Sequence, residues 1–344
     1  MKTKTINLGI AALASAMMAG TASAALINPD AGGIDAVVNA DVIDIAPGNA
    51  LVTCVQCWSF VDTNNPANNV ATDDVTIAVA GSLIQNFGQA RVSALQDLNN
   101  NNVSSGNFNN AYEWTVSFGF LEVITANIPG ITTNTAIIDG GVNFFEIYFD
   151  ATNNANNLAG TGFDDGTLIL SGSILALDQL NGVNGTTNFA PNGIFGDLDT
   201  NGANDYVGQT TVNGTGGGQL EIAIDFQNPL FFIQDITGFN VDVNTQLNLP
   251  FNAVDPSSCF DGIAGANNGG TMLGAGGGHG PCDPVASTGS IGAFNGVDGP
   301  NVMFVLDPTA TITGVVPEPA SVALLGIGFA AFGGLSAKRR RKQG

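Results

Sequence analysis

Positive charge is what this sequence has least of. Between residues 5 and 337 there is a single Lys or Arg, Arg91, and the other seven (Lys2, Lys4, Lys338, Arg339, Arg340, Arg341 and Lys342) sit at the two ends. All 29 acidic residues fall between Asp30 and Glu318, so residues 25–318 set 29 negative charges against one positive, a net of −28. Such a surface repels nucleic acid and anionic lipid, which need Lys and Arg against phosphate, and it attracts divalent cations. One cation also leaves phosphoryl transfer without the charges its transition state requires. Histidine is scarcer still: His279 stands alone in a Gly-rich run, so a Ser-His-Asp triad would have to be built on a floppy loop. Cysteine numbers four. Cys54-Val55-Gln56-Cys57 has the thioredoxin spacing but no following helical pattern to lower a thiol pKa, and the gap from Cys259 to Cys282 fits no common zinc knuckle.

What is present is apolar content near the ordinary level, 44%, with 46 Gly and charged residues at only 11%. This is not the low-hydrophobicity, high-charge composition of a disordered chain. The polarity comes from Asn, Asp, Thr and Gly. About 290 residues remain between the ends, a length common for one all-β sandwich or barrel.

The first 24 residues read as a secretory signal: Lys2 and Lys4, an apolar run from Ile6 to Gly20, then the small-residue site Ala22-Ser23-Ala24 with the cut after Ala24. At the other end, Val316-Pro317-Glu318-Pro319 is stiff and non-helical, because each Pro fixes its own φ and biases the residue before it away from α. Ala320 to Ala337 is apolar and, at ~1.5 Å per helical residue, just long enough to span a bilayer core. Lys338-Arg339-Arg340-Arg341-Lys342 holds the far end on the cytoplasmic side, so the body faces outward. The expected organisation is a signal peptide (1–24), an extracellular β domain (25–315) and a sorting segment (316–344). In such a compartment the four cysteines pair, either Cys54 with Cys57 and Cys259 with Cys282, or across the two regions.

The order Pro-Glu-Pro, apolar helix, Arg cluster at the C-terminus resembles the PEP-CTERM sorting signal. The resemblance implies a Gram-negative, exopolysaccharide-producing host, recognition and cutting by a membrane-embedded cysteine protease of the exosortase family near Pro317, Glu318 and Pro319, and the basic cluster Arg339, Arg340 and Arg341 as part of the signal. Blocks of the body are similar to the flocculation-associated PEP-CTERM proteins: Ala46-Pro47-Gly48-Asn49-Ala50-Leu51, the run Asn143 to Asp150, the run Asn156 to Thr167, and Gly292-Ala293-Phe294-Asn295-Gly296. That resemblance implies a part in gathering cells into exopolysaccharide-held flocs. The Cys-bracketed Gly run from Asp261 to Gly280 falls outside the pattern and reads as a stapled surface loop.

Inside the body the dominant period is two. Leu220, Ile222, Ile224 and Phe226 share one face against Gln219, Glu221 and Asp225, and Phe239 to Leu249 repeats the alternation. Further strands are expected at Ala36–Ile45, Leu51–Val61, Val75–Gln85, Ala90–Leu95, Tyr112–Ile124, Val142–Phe149, Leu168–Leu177, Val302–Leu306 and Ala310–Val315. Asn/Gly/Asp/Pro clusters such as Asp62–Asn69, Asn99–Asn110, Ala151–Gly166 and Asn181–Asn192 divide them. The class is all-β, an antiparallel sandwich of jelly-roll or lectin-like form, with no helix longer than two turns outside the terminal segments.

Three constellations bear on chemistry. Asp197, Asp199, Asn201 and Asp205 occupy loop positions 1, 3, 5 and 9 with Gly202 at 6, which suits Ca²⁺ and resembles extracellular DxDxDGxxD loops, although Gly208 stands where an EF-hand places its Glu. Glu113, Glu122 and Glu146 lie in or beside aromatic strands, and Glu122 with Glu146 is the pair a polysaccharide hydrolase would use. Tyr112, Trp114, Phe144 and Tyr148, if exposed, would stack on sugar rings in a lectin-like module. The leading expectation is a non-enzymatic, exported surface or matrix protein that associates with exopolysaccharide, with Ca²⁺ as the one cofactor its charge suggests.

Overall fold

A computed structural model describes residues 24–54, 58–59, 77–78, 80–128, 132–157, 160–176, 186–198, 210–245, 294–295 and 301–312. The strands are β1 (Ala25–Ile27), β2 (Val38–Ala40), β3 (Val42–Ile45), β4 (Gly48–Cys54), β5 (Trp58–Ser59), β6 (Ile77–Ala78), β7 (Leu83–Gln96), β8 (Glu113–Ile128), β9 (Thr132–Ile137), β10 (Phe144–Asp150), β11 (Thr167–Ile174), β12 (Thr186–Asp197), β13 (Thr210–Gln227), β14 (Gly238–Thr245), β15 (Phe294–Asn295) and β16 (Asn301–Ile312). No helix occurs among the described residues, as the alternation predicts.

The antiparallel all-β class is therefore present, and its form is one continuous sheet that closes on itself. Pairings run from β7 to β8, β10, β11, β13, β14 and β16, and return to β7 through β3 and β4. The two expected layers become one circuit because β8 and β13, at 16 and 18 residues, are each long enough to hold two neighbours end to end on one edge. β8 takes β10 beside its first half and β9 beside its second. β13 takes β12 and then β11, and β9 pairs with β12, so the circuit closes at both levels. Closure gives most of these strands a partner on both sides, which is how a barrel limits the edge groups that could recruit another chain.

Pro47 breaks what would be one strand into β3 and β4, both lying between β7 and β16. β16 runs unbroken through Pro308, joining two segments that the sequence reads as separate strands. On the side facing β3 and β4, neither Asp307 nor Pro308 makes a register pair, and such a gap can hold a residue with no N–H to give. β7 likewise joins two expected strands across Gly88. A Cβ there would fall 2.2 Å from Phe118 Cζ, so the glycine makes room for a ring to lie across the strand. Asn100 and Asn109 adopt φ of 61° and 63°, the left-handed turn conformation expected of the Asn clusters.

The interior is packed with aromatic and branched side chains: Trp114, Val116 and Phe118 of β8, Phe145 and Ile147 of β10, Ile222 of β13, Phe239 of β14. Phe231 and Phe232, from the β13–β14 connection, set their rings 6.1 and 5.9 Å from that of Trp114 and close one end. β1 reinforces the closure, with Asn28 N–H donating to Phe231 O and Ile233 N–H to Leu26 O. A closed circuit of this width has an interior that side chains can fill.

The two ends of the barrel differ. At one end β16 stops at Ile312, β1 starts at Ala25 beside the expected signal cut, and the connections 28–37, 97–112 and 228–237 lie. At the other are the end of β4 at Cys54, the ends of β12 and β14, and the start of β16.

Candidate functional site

β8 brings the candidate carboxylates to the sheet, and alternation sends them to opposite faces. Its even-numbered residues Trp114, Val116, Phe118 and Phe120 fill the interior, and Glu122 continues that row. Inside, Glu122 is buried and accepts from Asn86 Nδ2 at 2.8 Å and Thr135 Oγ1 at 2.7 Å. Glu146 pairs in register with Ser117, while its neighbours Phe145 and Ile147 pair with Phe118 and Val116. It therefore points to the outer face, where its Oε2 accepts from Tyr148 Oη at 2.6 Å. The expected pairing of Glu122 with Glu146 across a glycosidic bond is corrected on this geometry: the sheet itself lies between them, and no substrate can reach both.

The third carboxylate anchors a loop. Glu113 is 0% exposed on the outer face, where Oε1 accepts backbone N–H groups of Asn154 and Ala155 at 2.5 and 2.7 Å. Arg91 Nε pairs with Oε2 at 2.7 Å, and its Nη2 donates to Ala155 O at 2.6 Å. Thr115 Oγ1, two residues on, donates to Phe163 O at 2.7 Å, so the β10–β11 connection is laid along the outside of the barrel. The one Lys or Arg between residues 5 and 337 is thus spent on a structural clamp rather than left for an anionic substrate.

The sugar-stacking expectation for Tyr112, Trp114 and Tyr148, and with them Phe144, is also corrected. All four are buried. Trp114 Nε1 donates to Pro29 O at 2.8 Å, Tyr112 Oη to Asp35 at 2.5 Å, and Tyr148 Oη to Glu146, so each polar tip is satisfied internally and each ring is packed. The alternation placed Trp114 correctly on one face of β8, but it could not say which face was the core.

Asp35 gathers the end of the barrel from which the tail departs. Ser105 Oγ, Asn107 Nδ2 and Tyr112 Oη all donate to its carboxylate. Desolvation acts to raise its pKa, but the three hydrogen bonds together outweigh it and hold the carboxyl below its ordinary value. In the same contact, burial first and Asp35 second drive the Tyr112 hydroxyl far above the usual phenol range. A carboxyl with a lowered folded-state pKa adds stability above its unfolded value and loses it as pH falls through the folded one. Wild-type stability is therefore expected to drop as pH goes below about 4, and Asp35→Asn to flatten that limb. Urea midpoints across the acid range check this, and parallel curves for the two proteins would sink it.

Beside these lies a feature that sequence reasoning missed, a row of buried polar residues across the outer face. Asn49, Gln89, Ser117 and Glu146 are neighbours in register on β4, β7, β8 and β10, and all are buried. Among the described residues neither side-chain atom of Asn49 has a partner. Polar positions opposite a core face normally read as solvent-exposed. Nothing local signals that Leu198 joins Leu51, Phe87, Phe144, Met303 and Val305 in a buried cluster on this side of the sheet.

That packing places the start of the expected calcium loop. Asp197 ends β12, while Asp199, Asn201 and Asp205 lie outside the described residues. Cys54 ends β4, and Cys57, Cys259 and Cys282 also lie outside. The same holds for Ala22 and for Pro317, Glu318, Pro319, Arg339, Arg340 and Arg341, whereas Ala24 directly precedes β1. Among the described residues no group of three or more His, Cys, Asp or Glu is placed to hold a metal ion, and no helix is long and apolar enough to cross a membrane.

Comparison with known proteins finds no matching curated protein and no matching solved structure. One family model matches, the PEP-CTERM protein-sorting motif, over residues 315–341. It covers the expected Pro-Glu-Pro stretch, the apolar segment and the Arg cluster, and begins three residues beyond the end of β16. The chain therefore carries a PEP-CTERM protein-sorting motif, and that motif implies an exported, cell-surface protein processed by exosortase.

Proposed function

We propose that the mature domain is a non-enzymatic matrix protein that promotes cell aggregation in exopolysaccharide, with Ca²⁺ bridging its carboxylates to acidic polymer. The charge arrangement carries this reading. Residues 25–318 bear a net charge of −28, and their single Lys or Arg, Arg91, is tied to buried Glu113. A domain without a free Lys or Arg has no direct electrostatic hold on an acidic polymer, and divalent cations supply the missing charge. The blocks similar to flocculation-associated proteins add support: Ala46-Pro47-Gly48 falls at the β3–β4 break, Asn143 to Asp150 spans β10, and Asn156 to Thr167 belongs to the clamped connection. The polymer, the calcium and release from the membrane after tail removal are all part of the proposal.

The test compares three strains, carrying the intact protein, Glu318→Ala or no copy, for clumping with and without a calcium chelator and for where the protein fractionates. The intact strain is expected to clump and to disperse on chelation. Glu318→Ala is expected to leave the uncut chain in the membrane fraction. Normal clumping by the deletion strain would overturn the aggregation role, and clumps indifferent to chelation would overturn the calcium bridge.

A further inference from the structure

Among the described residues, the exposed large apolar side chains gather at one end of this barrel. Ile34 (77% exposed), Val37, Leu98, Phe226, Leu230 (62%) and Ile233 stand at one end, in the connections 28–37, 97–112 and 228–237 or at the last turn of β13. Leu83, at the start of β7, is the only other large apolar side chain exposed among the described residues, and it lies at the opposite end. Scattered exposed apolar residues are ordinary on a soluble protein, whereas a collection of them at one pole marks an interaction surface. The same pole is where β16 ends at Ile312.

The apolar segment of the sorting motif begins at Ala320, so seven residues, 313–319, separate it from the strand end. Fully extended at ~3.3–3.6 Å each, they span about 25 Å at most. With the tail in a bilayer, this apolar pole is held within that distance of the bilayer surface.

We propose that in the unprocessed chain this pole docks on the lipid surface, its apolar side chains entering the interfacial layer of an uncharged bilayer. The inference rests on the reading of residues 320–337 as a membrane segment. The choice of lipid follows from charge: Asp30, Asp35, Asp97 and Asp235 lie in the same connections with no Lys or Arg beside them, so anionic headgroups are repelled while zwitterionic ones are not. Docking keeps Pro317-Glu318-Pro319 at the membrane surface, within reach of a membrane-embedded protease. Cutting there removes the tether and frees the barrel.

The test uses the leaderless chain, residues 25–344, in phosphatidylcholine vesicles whose acyl chains carry bromine, which quenches nearby indoles. Leu230→Trp probes the apolar pole and Leu83→Trp the opposite end, each read against the unaltered chain with its native Trp58 and Trp114. Loss of the added emission is expected for Leu230→Trp and not for Leu83→Trp. A chain that fails to float with the vesicles would overturn the membrane reading of the tail and the docking with it. A chain that floats, with no quenching or equal quenching of the two variants, would overturn the docking alone. Shielding of Leu230→Trp that grows with protein density without bromine quenching would assign the pole to a second copy of the chain and overturn it equally.

Discussion

Arg91→Met is expected to destabilise the domain by about 3 kcal/mol, in the range found when one partner of a buried ion pair is removed. The reason is the asymmetry between the partners. Arg91 is 33% exposed in its side chain and can regain water, but Glu113 is 0% exposed and is left as a buried carboxylate without its cation. Its Oε1 still accepts the N–H groups of Asn154 and Ala155, so the charge is partly solvated by backbone dipoles, which keeps the loss below that of a bare ion. Glu113→Gln is expected to cost less, roughly 2 kcal/mol, because the amide oxygen can keep those two bonds while the neutral side chain gives up only the charge attraction. Glu113→Ala orphans both N–H groups as well and should fall at or below Arg91→Met. Urea titrations of the three variants give the order directly. If Arg91→Met unfolds at the wild-type midpoint, the pair is a solvated surface contact and the clamp is not what fixes the β10–β11 connection.

The sequence made the strands legible wherever alternation was strong and hid them where it was not. β8, β10, β11 and β14 fall where the period of two puts them. β9, β12 and the first half of β13 escape the alternation because Thr132 to Ile137, Thr186 to Asp197 and Thr210 to Gly218 are rich in Thr, Asn and Gly, which read as turns when no partner strand is in view. The strands split at Gly88 and Pro308 were misread for the converse reason. Gly and Pro are punctuation in isolation, and here a ring across one and a gap in the ladder beside the other make them compatible with strand.

For the site, the sequence singles out Glu113, Glu122 and Glu146 but not what surrounds them. Glu122 and Glu146 were correctly assigned to strands, and the parity of β8 against β10 depends on a register that neither strand states by itself. The Arg91–Glu113 pair joins residues on neighbouring strands to a connection some forty residues on, a relation invisible without the fold. The terminal motif needed no fold, because its information lies in the order of stiff, apolar and basic segments along the chain.

Trp114→Ala is expected to destabilise the domain by about 3–5 kcal/mol, the cost of emptying a well-packed aromatic site. The indole is 0% exposed, touches the rings of Phe108, Phe231 and Phe232, and ties the β1–β2 connection to the barrel through Pro29 O. Removing it takes the wall from one side of the plug that closes this end, and Phe231 and Phe232 cannot both move inward while β1 is bonded to their backbone. Trp114→Phe separates the two contributions. It keeps most of the apolar volume and loses the donor to Pro29 O, so it should cost roughly 1–3 kcal/mol. The same variants test the opposite assignment of this residue. A Trp that stacks on polysaccharide from an exposed sheet face would tolerate Ala with little loss of stability and lose sugar binding. A Trp in the barrel core shows the reverse, and an unfolding midpoint unchanged in Trp114→Ala would return it to the surface and open the closed sheet with it.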